Sequence, residues 1–492
     1  MSATNHTLSR SLSPGAPNRT TALWVISALV VLAVTLPLVW FAYAALGLAC
    51  IAALTHVAVG TICGQVDNAL VGWVMIFPLG YYFLSFPREQ PLITLDRVFI
   101  GVLLVAACMA GSSRAFHIPA ILRRAGIWWA FFLLFAAITI PGVKNPLNSL
   151  RLLVEGFLFP ALAAWYVLRH FDARGRLAAL HLATCLMSIS VAALAAAEVV
   201  LQQDLLPLPG GSLDTAGAGR KAEILIRPNG PFSSDNSLAL VGMVALFFLM
   251  FLRQALGPKM RKWQRWLHHA GIAAAALAAL MPLFRSLLII LALIALVDGI
   301  YYCRGLRRTM RLAIVGGFVL ALLLVRAALP AVFEDRSDTH SFYNRIAQHG
   351  QTVALFLDHP INGAGFNNFQ EAVQTSDKYS IYYQDVESVD SPHNNLGAIL
   401  AESGLAGFVP FVVSQILLFI AFWRVQTQRT QDSALVWRFA AYILLAYWAL
   451  GMSQTSAYVI DANLWLMLVL AVLYKYAITQ RTPEKPSLVP AV

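Results

Sequence analysis

The sequence predicts an all-α fold: a polytopic transmembrane helix bundle of about 12–14 spans, with a large periplasmic loop between late helices. Three observations predict it. Of 492 residues, 59% are hydrophobic and only 12% charged, and the mean hydropathy of +0.68 is far above that of a soluble domain. The apolar residues fall in long unbroken runs, where a membrane barrel would show short alternating strands. Lysine and arginine concentrate on alternate connections between those runs.

The chain opens on a polar, slightly basic tail over 1–20, "MSATNHTLSRSLSPGAPNRT". It has no cleavage pattern of the signal-peptide kind, so the first apolar run is expected to be a retained helix. Apolar runs follow near 22–40, 42–62, 69–86, 98–112, 127–141, 152–168, 177–200, 234–252, 270–284, 286–302, 312–329, 396–422, 437–453 and 460–477. A full span needs about 20 residues. The basic segments "RAFHIPAILRRAG", "RHFDARGR", "RQALGPKMRKWQRW", "CRGLRRTMR" and "WRVQTQRTQDSALVWR" fall on one side, with both termini. That side holds roughly 23 Lys/Arg and the other roughly 12, so the positive-inside rule makes it cytoplasmic. The net charge of +11 therefore serves topology. The expected surroundings are a lipid bilayer, with no nucleic acid. Cys50, Cys63, Cys108, Cys185 and Cys303 lie inside or beside apolar runs, which argues against a disulfide framework, and no Cys/His metal spacing exists.

The expected order is a cytoplasmic tail over 1–20, helices over 21–329 with an outer loop near 201–233, a large periplasmic loop over 330–395, helices over 396–477 and a cytoplasmic tail over 478–492. Loops as long as 330–395 are uncommon unless functional. Within it, Phe342, Ile346, Val353 and Phe356 of "SFYNRIAQHGQTVALFLD" recur at helical spacing, which predicts a helix lying on the membrane surface. "HPINGAGFNN" (359–368) is turn chemistry.

Arg151, Arg227, Arg285, Arg336 and Arg345 map to the outer edge, against the charge rule. One such arginine reads as a snorkelling side chain. Five together fit phosphate, which the guanidinium fork binds bidentately. Arg285 stands between two apolar runs with almost no loop around it. In "DSPHNNLGAILAESGLAGF" (390–408), Asp390 or Ser391 can cap a helix, and Pro392 suits its first turn. His393 then sits at a helix N-terminus, where the dipole disfavours imidazolium and attracts anions. A neutral imidazole there can accept a proton; a mere capping role is the plainer alternative. Gly404 and Gly407, one turn apart, read as a close helix approach. Glu402 is expected to be paired inside the bundle. "RPNGPFSSDNS" (227–237) reads as a turn and an N-capped helix. Acidic runs at 334–338 and 385–390 would suit a metal but read as solvated loop, so neither metal nor cofactor is expected.

His393, Asn394, Gly404 and Gly407 match, without a gap, the pattern His-Asn/Ser/Gln, nine residues, Gly-x-x-Gly. "DHPINGAGFNNF" (358–369) resembles a His-Pro-x-x-Gly-x-Gly turn, "RPNGPFSSDNSLA" an Arg-x-x-Gly-x-Phe segment with a downstream Asn, and "LNSLRLLVEGFLFP" an earlier segment of the same family. On these motifs the chain, from about 80 to 470, resembles the bacterial O-antigen ligase and O-antigen (exopolysaccharide) polymerase superfamily. It departs at Phe284-Arg285-Ser286, where the family commonly reads Ser-Arg-Gly or Ser-Arg-Ser.

The resemblance implies an inverting, metal-independent glycosyltransferase at the periplasmic face of the bacterial inner membrane. Its donor would be an undecaprenyl-diphosphate-linked oligosaccharide or polysaccharide, and its acceptor a glycolipid. His393 would deprotonate the acceptor hydroxyl, with Asn394 in support. Arg285 and Arg345 would hold the diphosphate, backed by Arg227, Arg336 and Arg151; Arg336 and Arg345 compete for one family position, and Arg345 is preferred. The form of the motifs leans towards a polymerase, which extends a lipid-linked repeat. The alternative is a ligase, which transfers the glycan to lipid A-core of lipopolysaccharide, and transfer to protein hydroxyls is a third reading. A transporter or flippase of a polar or anionic substrate would also explain many helices and outer arginines. Transporters, however, keep polar residues and broken helices near mid-membrane, often in matched halves.

Overall fold

The computed structural model describes residues 55, 66–80, 85–86, 93–109, 117–201, 205–206, 228–232, 234–282, 284–301, 316, 339–383, 386–387, 392–428, 430–452 and 456–479. Arg227, Arg336, Asp390, Ser391, the acidic run 334–338 and most of the run 385–390 lie outside these residues, as do both tails and nearly all of the runs at 22–40, 42–62 and 312–329.

The described chain is helical almost throughout: α1 (Val66–Ile76), α2 (Leu95–Met109), α3 (Ala120–Thr139), α4 (Pro146–His170), α5 (Leu177–Leu201), α6 (Asp235–Leu256), α7 (Lys262–Leu280), α8 (Arg285–Tyr301), α9 (Thr339–Asp358), α10 (Phe369–Gln374), α11 (Asn395–Gln426), α12 (Gln431–Gly451) and α13 (Ile460–Ile478). Seven of these, α3 to α6 and α11 to α13, are long and apolar enough to cross a membrane. The chain is a multi-pass, all-α membrane protein.

Local chemistry explains where elements start and stop. Ser234 caps α6 by accepting from the Ser237 amide at 3.2 Å. Thr430 and Ser433 form a capping box on α12. The run at 69–86 does not stay helical to its end: Ser85–Phe86 pairs antiparallel with Ile93–Thr94, and Pro87 and Pro91 between them cannot continue a helix. The run at 270–284 starts earlier than hydropathy predicts, because Gln264 accepts from the Arg261 amide at 2.8 Å and closes the N-terminus of α7 inside the basic linker.

Helices α4, α6, α8, α11 and α13 begin at one end of the bundle. Asn463, early in α13, donates to the Gly156 carbonyl early in α4 at 3.1 Å. At the other end Arg438, early in α12, holds Asp298, late in α8, through two 2.6 Å hydrogen bonds, and Arg174 reaches Asp432 at 2.7 Å. Arg123, Arg124, Arg169, Arg253, Arg261, Lys262 and Arg265 gather at this second, basic end.

The main core packs Phe77 against Trp465 at 5.7 Å and Phe248 edge-on to Trp465 at 5.9 Å. A second aromatic cluster joins α3, α4 and α11 through Phe132, Phe157, Phe366 and Phe411. It sits beneath the segment that carries His393.

Candidate functional site

The site is built on a helix that breaks. The spacing of Gly404 and Gly407 predicts close helix packing, but Gly404 has φ +57° and ψ −165° inside α11, a region open essentially to glycine alone. The turn over 360–365 fits into this break backbone to backbone. Ala364 and Gly365 amides donate to the Ala401 and Glu402 carbonyls at 2.9 and 3.0 Å, and Leu405 and Ala406 amides donate to the Pro360 and Ile361 carbonyls at 2.9 and 3.0 Å. The four bonds satisfy groups that a broken helix would otherwise leave orphaned. A Cβ on Gly404 would lie 2.2 Å from the Ile361 carbonyl oxygen, and one on Gly363 would lie 2.3 Å from Glu402 backbone. The glycines of both motifs therefore serve one joint.

Glu402 locks that joint, and it is paired inside the bundle as expected. Its buried carboxylate accepts from the Asn367 amide at 2.8 Å, the Phe369 amide at 3.2 Å and the Tyr458 hydroxyl. Burial and the adjacent Glu402 carboxylate keep the Tyr458 phenol protonated. The Tyr458 ring stacks on Phe366 at 5.8 Å. Two turns nearer the N-terminus, Asn395 accepts from the Ala457 amide at 2.8 Å. The segment 395–403 is thus clamped by the 360–369 turn on one side and by 456–458 on another.

His393 sits immediately before this clamped segment. Asp390 or Ser391 is the cap expected from sequence; instead Asn394 is the N-cap, its Oδ1 accepting from the Leu396 and Gly397 amides at 2.9 and 3.3 Å. Pro392 accordingly precedes the helix rather than filling its first turn. The Asn394 amide donates to the Pro392 carbonyl at 2.7 Å, which puts half-buried His393 at the apex of a tight turn. The side-chain oxygen of Asn394 is spent on the cap, so its support of His393 is positional.

The predicted helix in the large loop forms as α9, but it buries a different face. Ala347, Gln348, Gln351, Thr352 and Leu355 are buried, whereas Val353 is 57% exposed. Small and polar residues allow the close approach: Thr352 Cγ2 lies 3.2 Å from where a Cβ on Gly397 would stand. Leu355 and Ala401 share a cluster further along, so α9 and the start of α11 run parallel. Arg345 is about 10 Å before Thr352 on α9, and His393 about 6 Å before Gly397. Both therefore project from the same end of the pair. Gln348, one turn from Arg345, buries both amide atoms with no hydrogen-bond partner among the described residues. The far end of α9 is tied down by Asp358, which accepts from Lys378 at 2.6 Å and Tyr379 at 2.7 Å. These bonds hold its carboxyl below the usual carboxylate range.

Arg151 lies at the same end of the bundle, in α4. It donates to Glu155 at 2.8 Å, and Arg97 donates to the other Glu155 oxygen at 2.5 Å. Glu155 falls in a π-helical turn over Val154–Leu158, a distortion frequent at functional sites. Arg97, Arg151 and Glu155 line a cavity of about 720 Å³ with Asn145, Asn148 and Phe159. Two guanidinium groups and one carboxylate line it. Sequence reading does not single out Arg97; its neighbour Asp96 accepts from Trp73 at 2.7 Å. Arg285 is the first residue of α8, whose far end holds Asp298, so it too lies at the His393 end. No group of three or more His, Cys, Asp or Glu suited to a metal occurs among the described residues.

Residues 234–412, from the start of α6 through the break in α11, match the family described as O-antigen ligase. That match supports the O-antigen ligase/polymerase superfamily for this part of the chain. Members of this superfamily are enzymes that act on lipid-linked glycans in membranes. The match takes in His393, Arg345, Arg285, the 359–368 turn and Gly404, whereas Arg97 and Arg151 stand outside it. None of the curated proteins matches the chain.

Proposed function

We propose that the protein is a glycosyltransferase at the periplasmic face of the bacterial inner membrane, taking its glycan from an undecaprenyl-diphosphate carrier. The observation that carries this reading is the fixed position of His393 at the apex of a clamped turn, with Arg345, Arg285 and the Arg97–Arg151 cavity at the same end of the bundle. The basic residues gathered at the opposite end support the orientation. On this reading 330–395 is a periplasmic cap, and 1–20 and 478–492 are cytoplasmic.

In the reaction, neutral His393 takes the proton of the acceptor hydroxyl. The hydroxyl oxygen attacks the anomeric carbon from the face opposite the diphosphate, and the anomeric C–O bond to the diphosphate breaks, inverting the centre. Arg285 and Arg345 balance the charge on the departing diphosphate, with Arg151, Arg227 and Arg336 in support and Arg97 added to that set. Arginines at the leaving group make a metal or cofactor unnecessary. Gln348, with donor and acceptor both unspent, suits a sugar hydroxyl.

The acceptor favoured is a second lipid-linked repeat, which makes the enzyme a polymerase; lipid A-core, the ligase acceptor, is the alternative. The broken helix α11 is the observation that favours transport. Its freed backbone groups, however, are bonded to the 360–365 turn and do not line a path. The test compares glycans from wild type, a deletion, and the deletion carrying His393→Ala. A polymerase defect gives single-repeat chains or loss of a secreted polysaccharide; a ligase defect strands polymer on its carrier. A transporter would tolerate His393→Ala.

A further inference from the structure

We propose that the protein carries a second lipid site, distinct from the glycan site, that holds one anionic phospholipid at its basic end. A cavity of about 710 Å³ lies between α3, α4, α11 and α13. Its lining comes from the first turns of α3, the last turns of α4 and the later halves of α11 and α13. All of these lie towards the basic end, away from His393. Most of the wall is apolar, and Gly126, exposed on α3, opens it sideways.

The head of the cavity has a different character. Arg123 and Arg169 line it, with His117, and no Asp or Glu does. Neither arginine makes an ion pair with a carboxylate among the described residues. The Arg169 guanidinium lies 5.7 Å over the ring of Trp165, which itself lines the cavity. Two uncompensated guanidinium groups above an apolar groove, at the edge of a membrane span, match a phosphate head with an acyl chain below it. Basic pockets between spans on the cytoplasmic side recognise anionic headgroups in this way. A zwitterionic lipid, whose phosphate is offset by its own cation, would bring no net negative charge to balance the two arginines. The polyprenyl donor is the wrong occupant, because a diphosphate held here would be most of the hydrocarbon thickness, about 30 Å, from His393.

Gly126 supplies a clean test. A Cβ added there meets nothing within 4 Å, so Gly126→Phe fills the groove without crowding the helices. Purified protein in bilayers of equal phosphatidylglycerol and phosphatidylcholine is released and weighed by native mass spectrometry. Wild type should retain one phosphatidylglycerol in preference to phosphatidylcholine by about tenfold or more, the effect of two arginine–phosphate contacts. Arg123→Gln with Arg169→Gln should remove the preference, and Gly126→Phe should remove the bound lipid. Arg124→Gln, next to the cavity but outside its lining, should keep both. Equal retention of the two lipids by wild type overturns the proposal. So does a preference that survives both the double variant and Gly126→Phe, a polyprenyl lipid found in place of phosphatidylglycerol, or the cavity filled by a second copy of the chain.

Discussion

His393 contributes to the proposed reaction through where it is held. Its turn is closed by the Asn394 amide, and Asn394 is itself the cap of the helix. Asn394→Ala should cost about 1 kcal/mol of cap and lower kcat by loosening His393; Asn394→Ser, which caps as well, should recover most of it. Gln348→Leu separates two roles for the unpaired amide. If Gln348 meets sugar, KM rises and the protein is no less stable; if it is only an orphan, Leu leaves kinetics unchanged and relieves a cost of about 1–3 kcal/mol. Steady-state kinetics beside a thermal unfolding curve reads both. At this scale the His-Asn pair was legible from its position before an apolar run. Arg97 was not: its partner Glu155 is reached only when α2 and α4 pack, and the π-helical turn that presents Glu155 leaves no mark in the residue pattern.

The break in α11 is the element on which the site depends. Gly404→Ala puts a Cβ on top of the Ile361 carbonyl and forces a conformation reserved for glycine, so a loss of more than about 3 kcal/mol is expected. The amount of folded protein extracted from membranes measures it; a variant as abundant and as heat-stable as wild type would show that the joint is dispensable. The Asp358 contacts set a milder dependence on pH. Its carboxyl titrates below its ordinary value, so the tie between α9 and 378–379 is complete above that ordinary value and is lost as pH falls through the depressed one. Amide exchange at 372–380 should quicken in that acidic window and not between pH 6 and 8. The glycine spacing was visible in sequence, but its meaning was not. A helix break and a small-residue seam use the same residues, and only the turn 40 residues upstream distinguishes them. The face of α9 was ambiguous for a similar reason, since apolar residues lie on both sides of it.

Among the described residues, the apolar runs were legible because a bilayer demands about 20 apolar residues per span. Their ends were less so, being set by capping side chains such as Gln264 and by proline pairs such as Pro87 and Pro91. The break also shortens what α11 needs in order to span: the part after Gly404 is about 22 residues, a full span by itself. The segment 395–403 packs with α9 and the 359–369 turn instead. His393, Arg345 and the Arg97–Arg151 cavity lie at the end of the bundle where α4, α8 and α11 start.

The central claim is that His393 at this end is the base for transfer from a lipid diphosphate. The most direct measurement reconstitutes purified protein in vesicles with a lipid-diphosphate-linked repeat and follows glycan chain growth and release of lipid diphosphate. Wild type should give both. His393→Ala should lose at least about 100-fold in rate, the usual share of a general base, while the protein stays folded. Chain growth by His393→Ala at the wild-type rate would contradict the account and leave His393 as part of a helix start.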